Sequence, residues 1–553
     1  MTETALEQQR SSRHPERSTL LRLDWFEWLC LVATAALAAA VVVPLLLTGN
    51  RQSGADGVYA VDQFQYLAWV RLFSEHWLIG NPFDMAPDTR VFLHPGFLVS
   101  GLLHRVTGLS LVASYSYLWK AISAIVVFFG ALLYSRRLLE PVWPQRLGLV
   151  LAIFVVSPWS ALMKWAGVGT PKNWVNLDFV TGEMSAITHL QGYPMTAIAT
   201  FGMVFVLLGL ERARASRLKR QLAAASLGAL LVAWLQPWQG AELILIICMV
   251  EAWRWGVQKV KPSLPMAAPV VAAILPMVWF WHLSRSDPAW KLVQKANAEL
   301  DNPLWSFPLW AIALALLPLG LTVALAYRAR GNDWQGVAVR VWPLAVLLVY
   351  LAPVGTFQFH AVQGLCIPMA MLAVQGATKF RPAGLPAPRS ILVAPVVALL
   401  VLPGLVYRAD GIRQSVDRGD QVWWLNDGDS RALDFLQADS APGGVLTDSR
   451  FGSLVPAFTG REVYAGNFSW TPNYSSKSFL ADGFFSGQSL SGKLTPSQAQ
   501  AFLKSTGVRF VLQPCGNRRL SQAEVEQLIR PMVNLTLQFG CAKVYVIRTG
   551  AKA

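Results

Sequence analysis

Seven side chains in this sequence are of types that move protons or grip anions: Asp62, Glu183, His189, His94, Lys172, His360 and Gln363. Asp62 stands in Val61-Asp62-Gln63 and opens a stretch in which Tyr66, Val70, Phe73 and Trp77 recur at helical spacing. With Gln65 three residues on, Asp62 also reads as a helix N-cap, a role compatible with chemistry. Glu183 and His189 lie six residues apart just before an apolar run. They suit a second carboxylate and a proton carrier, or ordinary loop polar groups. His94 precedes Pro95, and His360 and Gln363 sit in TFQFHAVQGLC at the mouth of a late apolar run. Ionisable groups at membrane depth are expensive, which makes these positions suspect. Lys172 is a candidate phosphate contact, although a lone loop lysine is more often solvated.

No phosphate-cradling glycine loop, HExxH or GxSxG motif is present, and the 5 Cys and 7 His form no ligand cluster. Cys30, Cys248 and Cys366 fall in apolar runs as packing residues. Cys515 and Cys541 lie near the C-terminus, each beside an expected strand, and pair only if that region is outside the cytoplasm. Trp174, Trp238 and Trp305 suit stacking on a sugar, but tryptophan more often anchors a chain at a membrane surface.

The elements that must hold these residues are mostly apolar. The chain has 553 residues, 14% of them charged, and a net charge of +15, with a mean hydropathy of +0.39. A soluble chain of this length carries far more charge. Stretches near 27–48, 110–134, 147–163, 193–211, 222–236, 238–256, 264–282, 305–327, 341–355, 360–377 and 390–407 read as about eleven membrane helices. The pair meeting at Gln236 is short, as a broken or re-entrant element would be. Basic residues cluster in alternate connections, at 136–146, 212–220, 254–261, 328–340 and 379–389. That placement sets membrane orientation and argues against a nucleic-acid partner. It puts a cytoplasmic N-terminal tail (1–26) inside and the C-terminus outside.

The membrane domain then runs over 27–407, with two long outer loops at 49–109 and 164–192, both rich in aromatic residues. The Tyr66 stripe suits a helix lying in the interface. From 408 to 553 the period changes: GGVLTDS, REVYAG, VRFVLQ, VNLTLQF and KVYVIR read as strands. Thr495-x-x-Gln498 and Ser521-x-x-Glu524 read as capping boxes, so this is a small α/β domain. Asn467, Asn473 and Asn534 stand in glycosylation sequons, which matter only in a host that uses them.

The stretch VDQFQYLAWVRLFSEHWLIGNPFD, then VFLHPGFLVSGLLHRVTG, resembles the first outer loop of GT-C class integral-membrane glycosyltransferases. VLTDSRFGSLVPAFTGREVYAGNFSWTPNYSSK is similar to the domain appended to many bacterial members. The resemblance implies a GT-C-like multi-pass protein of the cytoplasmic membrane. It would move a sugar from a polyprenyl-phosphate donor to a glycan, lipid or protein acceptor on the outer face. In that frame Asp62 matches the acidic residue of the family's first loop and becomes the general base, with Glu183 and His189 completing the catalytic set. His94, Lys172, His360 and Gln363 become substrate contacts, and His360 stands where related sequences tend to carry Arg. No cofactor is certain. Members that bind a divalent metal such as Mg or Mn often have a second carboxylate beside the first, whereas Asp56 is six residues before Asp62. A lipid-linked glycan transporter or a non-catalytic scaffold are the alternatives. A convergence of Asp62, Glu183 and His360 on one cavity reachable from lipid would favour the enzyme.

Overall fold

The computed structural model describes residues 22–47, 51–55, 60–86, 89–216, 218–300, 309–328, 331, 333–352, 358–379, 390–417, 424–489, 492–516 and 520–548. Asp56, Trp305, residues 1–21, Arg217, Arg330 and the basic segment 380–389 lie outside the described residues.

Helices occupy all the apolar stretches. They are α1 (Trp25–Ala39), α2 (Val42–Leu47), then, after two loop helices α3 (Ala60–Glu75) and α4 (Pro95–Thr107), α5 (Leu118–Leu138) and α6 (Val142–Phe154). The second loop carries α7 (Trp159–Trp165), α8 (Pro171–Glu183) and α9 (Ala186–Gly192). The bundle continues with α10 (Pro194–Ser216), α11 (Lys219–Leu235), α12 (Pro237–Gln258), α13 (Ala268–Ser286), α14 (Pro288–Leu300), α15 (Leu309–Ala326), α16 (Trp334–Leu351), α17 (Cys366–Lys379) and α18 (Ser390–Asp417). Among the described residues, 6 helices are long and apolar enough to cross a membrane, or 7 if α6 and α7 form one bent span. Shorter apolar helices such as α1, at 15 residues, make up part of the difference from the expected count. The run expected as one helix over 147–163 is broken, with a 62° bend between α6 and α7. Pro158 sits in that break; it has no N–H to give a helix and pushes Ser157 out of helical geometry.

The bundle has two unlike ends. At one, arginines lock helix termini together: Arg136 to Glu27 at 2.6 Å, Arg146 to Asp24 at 2.7 Å, and Arg214 to Glu251 at 2.5 Å. Arg137 bridges Glu211 at 2.5 Å and Asp333 at 2.7 Å. At the other end lie both long loops and the C-terminal domain.

That domain has a four-stranded sheet of β3 (Val445–Leu446), β4 (Phe510–Gln513), β5 (Val533–Phe539) and β6 (Ala542–Ile547) in the order β3-β4-β6-β5. Only β3 and β4 are parallel. REVYAG contributes a single bridge, Val463 to Val445. Both expected capping boxes form, opening helices at Pro496–Thr506 and Gln522–Ile529. Cys515 and Cys541 are joined as a disulfide with a Cα–Cα distance of 4.8 Å.

Loop and domain are one body. A short strand, β1 (Arg51–Gln52), pairs antiparallel with β2 (Trp424–Leu425) just after α18. A shared apolar core joins Phe64, Trp69 and Phe73 of α3 to Leu433, Val455, Trp470 and Phe510 of the domain. This corrects the expectation of an interfacial helix with one wet face. Gln63, Phe64, Gln65, Leu67, Ala68, Trp69, Val70 and Phe73 of α3 are all buried, because α4 covers one side and the domain another. Trp77, expected on the same stripe, lies past the helix end and is exposed.

Candidate active site

The site is assembled where α9 meets α10, by groups that first satisfy the backbone. The last carbonyls of α9 need partners. Gln63 Nε2 donates to the Gly192 carbonyl at 3.3 Å, and the buried Lys120 ammonium donates to the Leu190 carbonyl at 3.4 Å and to that of Gln191. With α9 anchored in this way, Tyr193 emerges at the head of α10. Its hydroxyl donates to Asp62 Oδ2. Helix α3 begins at Ala60, so Asp62 falls in the first turn rather than at the cap. Its carboxylate is turned toward Tyr193.

Asp62 is half-buried. Removal of water raises its pKa above the usual carboxylate range, and the Glu183 charge adds to the rise, while the Tyr193 hydrogen bond and the His360 charge oppose it. An acid tuned upward in this way is better matched to accepting a proton near neutral pH than a free aspartate.

Glu183, fully buried at the end of α8, faces His360 and Gln363 from the turn before α17. Its Oε2 accepts from Gln363 Nε2 at 2.6 Å and lies 3.2 Å from His360 Nδ1. Gln363 Nε2 also lies 2.8 Å from His360 Nδ1. Gly364 makes this turn: its φ is +82°, and a Cβ there would come within 2.9 Å of Thr200. Gln236, in the gap between α11 and α12, donates to Thr196 Oγ1 at 2.8 Å and to Gln363 Oε1 at 3.2 Å. Gln239 holds the carbonyls of His360 at 3.1 Å and Gln363 at 3.3 Å. Trp238 packs edge-on against the His360 ring, 5.0 Å between centroids.

Asp62, Glu183, His360 and Gln363 are thus gathered at one place, from three separate chain segments. His189 joins them from below. It is buried, with Nε2 lacking a hydrogen-bond partner. Burial holds its pKa down to about 4, so it is neutral at physiological pH. His94 is not part of the group: it caps α4 by accepting from the Phe97 amide at 3.4 Å. Burial holds it neutral, with a pKa of about 3. Lys172 is exposed in the first turn of α8, about 16 Å along the helix from Glu183. Trp174 is held by its indole N–H on the Val168 carbonyl at 2.7 Å. Among the described residues no three His, Cys, Asp or Glu side chains converge as metal ligands do, so a divalent ion has no ready-made cage there.

Thr181 and Met184, which flank Glu183 in the chain, and Leu365, two residues after Gln363, line an apolar crevice together with Val155, Leu316, Met369 and Leu400 among others. Its walls come from α15, α17, α18 and the ends of α6 and α8. Near it, Arg408 of α18 lies within electrostatic reach of both Asp178 and His189. The Arg408 Nε is buried without a hydrogen-bond partner. Lys164 adds a second positive charge near Asp178 and lies 5.0 Å over the Tyr407 ring. Sequence reasoning missed Tyr193, Lys120, Gln236, Gln239 and Arg408. Only Arg408 left a signal: an arginine at the end of an apolar run where the orientation rule expects few.

No family model matches the chain, and no curated protein matches it. Among solved structures, it is similar to the oligosaccharyltransferase of Archaeoglobus fulgidus in the apo form, with a TM-score of 0.48 and 11% identity over 88% of this chain and 69% of that one. The same enzyme tethered to an acceptor peptide containing the NVT sequon gives a TM-score of 0.40 and 12% identity, with the same coverages. ArnT from Cupriavidus metallidurans in the apo state gives a TM-score of 0.44 and 12% identity over 92% of this chain and 96% of that one.

Proposed function

We propose that this multi-pass membrane protein is a glycosyltransferase that takes a sugar from a polyprenyl-phosphate donor and passes it to a hydroxyl-bearing acceptor at the roofed end of the bundle. The observation that carries this reading is the convergence of Asp62, Glu183, His360 and Gln363, with chain neighbours of Glu183 and Gln363 lining an apolar crevice and Arg408 on the helix that supplies the crevice's Leu400. An apolar crevice whose lining residues neighbour Glu183 and Gln363 in the chain suits a donor with a long hydrocarbon tail and an anionic head.

In this reading the tail lies in the crevice and the phosphate meets Arg408, whose unpartnered Nε is a free donor for an oxyanion. The acceptor approaches from the side covered by the C-terminal domain. Asp62 takes the proton from its hydroxyl while the oxygen bonds to the anomeric carbon. The bond from that carbon to the phosphate oxygen breaks, and its electron pair leaves on the lipid phosphate. Tyr193 stabilises Asp62 as the carboxylate until the transfer, and Glu183, His360 and Gln363 bind the sugar hydroxyls or steady its ring. The basic residues gathered at the opposite end support a site on the outer face of the cytoplasmic membrane, by the positive-inside tendency.

The test is transfer of a labelled sugar from a polyprenyl-phosphate donor by the purified chain in liposomes. Asp62→Asn keeps the shape and the Tyr193 contact and should lower the rate by about a hundredfold to ten-thousandfold, the range of a general base. A folded Asp62→Asn protein that transfers at the normal rate removes Asp62 from the mechanism.

A further inference from the structure

The C-terminal domain packs on α3 through its helix Val455–Thr459 and through the loop between Gly460 and the next helix (Tyr474–Ser486). Asn467 in that loop is fully buried. Its side-chain oxygen accepts from the Ser469 amide at 2.9 Å and the Trp470 amide at 3.3 Å, so it shapes its own turn. Its amide nitrogen donates across to Gln65 Oε1 of α3 at 2.9 Å. Three residues on, Trp470 stands edge-on to Trp69, 5.1 Å between centroids, and its carbonyl accepts from Asn81 at 2.8 Å. Asp62, Gln65 and Trp69 are at i, i+3 and i+7, so they share one face of α3. Beyond the apolar core it shares with α3, the domain therefore grips, by one polar and one aromatic contact, the helix face that carries Asp62.

We infer that Asn467, with Trp470, is a positioning element for the reaction: it fixes α3 so that Asp62 stays aimed at the reacting centre, and the domain is a working part of the membrane site. The inference rests on the glycosyltransferase reading for its kinetic consequence but not for its structural one. Without the clamp, the first turns of α3 keep the Gln63 and Tyr193 contacts and the apolar packing of Phe64 and Leu67 but lose the polar tie on the Asp62 face, and the Tyr193 contact loosens. The titrating groups facing Asp62 are Tyr193, Glu183 and His360 from other elements and Tyr66 on its own helix. Of these only the Tyr193 hydrogen bond and the His360 charge favour the ionised form, so a looser Tyr193 contact raises the pH at which Asp62 becomes a base.

The experiment uses the full chain in liposomes, with Asn467→Ala and Gln65→Ala approaching the same bond from its two sides. Each leaves one buried amide unpaired and should lower kcat about tenfold. Donor KM should stay unchanged, and the acid limb of the pH profile should move to higher pH. The double variant should be no worse than Asn467→Ala, which already breaks this bond together with its own turn contacts to Ser469 and Trp470. Hydrogen exchange over residues 60–70 should rise in each while the sheet stays protected. Folded variants with wild-type kcat and an unmoved acid limb overturn the inference, as does a loss confined to KM or yield. Should the wild type transfer no sugar from any polyprenyl-phosphate donor, the enzymatic reading fails by itself. Unchanged exchange over 60–70 then overturns the clamp independently.

Discussion

Tyr193→Phe isolates the electrostatics of the site with one oxygen. The ring, which lies 6.3 Å from Tyr66 and 6.4 Å from His360 between centroids, is retained. What goes is the donor to Asp62 Oδ2. A hydrogen bond to a charged group is worth about 1.5–3 kcal/mol, and one pKa unit corresponds to about 1.4 kcal/mol. Asp62 keeps part of its surface open, so the lower end applies: a rise of about one unit in its pKa. The bond favours the ionised form, and only that form can take a proton. The acid limb of kcat against pH should therefore shift upward by about one unit, with the alkaline plateau retained. Single-turnover sugar transfer measured across pH 4.5 to 9, for both proteins at saturating donor, reads this directly. A limb that stays in place, or moves down, refutes the assignment of Asp62 as a base tuned by Tyr193.

Two further consequences follow from charges outside the carboxylate group. Arg408→Gln removes the proposed phosphate contact and should raise donor KM about tenfold or more, the worth of one charge-assisted hydrogen bond, while leaving acceptor KM alone; equal effects on both would dissociate Arg408 from the donor. In the C-terminal domain, burial raises Asp429 to about 6 even though the Cys515 amide donates to it at 2.8 Å. A raised carboxyl stabilises the fold at low pH and loses that contribution as pH climbs from about 4 through about 6. Asp429→Asn should therefore stabilise the protein by ~3 kcal/mol at pH 8 and by nothing at pH 4; thermal unfolding in detergent showing a gain at pH 4 instead would contradict it.

The sequence made the helices legible because lipid imposes a simple rule: about 20 apolar residues per span, with arginines at one side. Even the exception at Pro158 follows from a missing N–H. The strands and capping boxes of the terminal domain were equally readable from period and from Thr495 and Ser521. The site was readable in part. Asp62 was marked by the resemblance of its loop, Glu183 by its place in the second outer loop, and His360 and Gln363 by being polar where polarity is expensive; all four converge. His94 bore the same mark for a different reason, since a buried helix cap needs a polar atom as much as a substrate does. The partners of the site were not readable. Tyr193 and Gln239 sit in helices as ordinary residues, and only the packing of α9 against Lys120 and Gln63 turns Tyr193 toward Asp62. The dry face of α3 was also hidden, because the domain that covers it lies some 400 residues away, a separation of 402 between Gln65 and Asn467.

The choice of supporting residues has its own logic. Around the carboxylates the scaffold uses amides: Gln63, Gln236, Gln239 and Gln363, joined by Gln65 and Asn467 at the roof. An amide both donates and accepts, so it can be buried with its bonds satisfied at far less cost than a charge. It also adds no net field. Arginines, which would hold helix ends equally well, are used for that purpose at the opposite end of the bundle. Near Asp62 each would pull the carboxyl toward the ordinary range and make it a poorer base. Lys120 is the exception that fits the rule, since its charge is spent on the carbonyls closing α9. With neutral scaffolding, the charges left to act on the reacting groups are those of Asp62, Glu183 and Arg408, with His360 when protonated. That arrangement is what a transfer between a hydroxyl and an anionic lipid requires: a base kept strong by burial, and a cation set apart from it beside the groove.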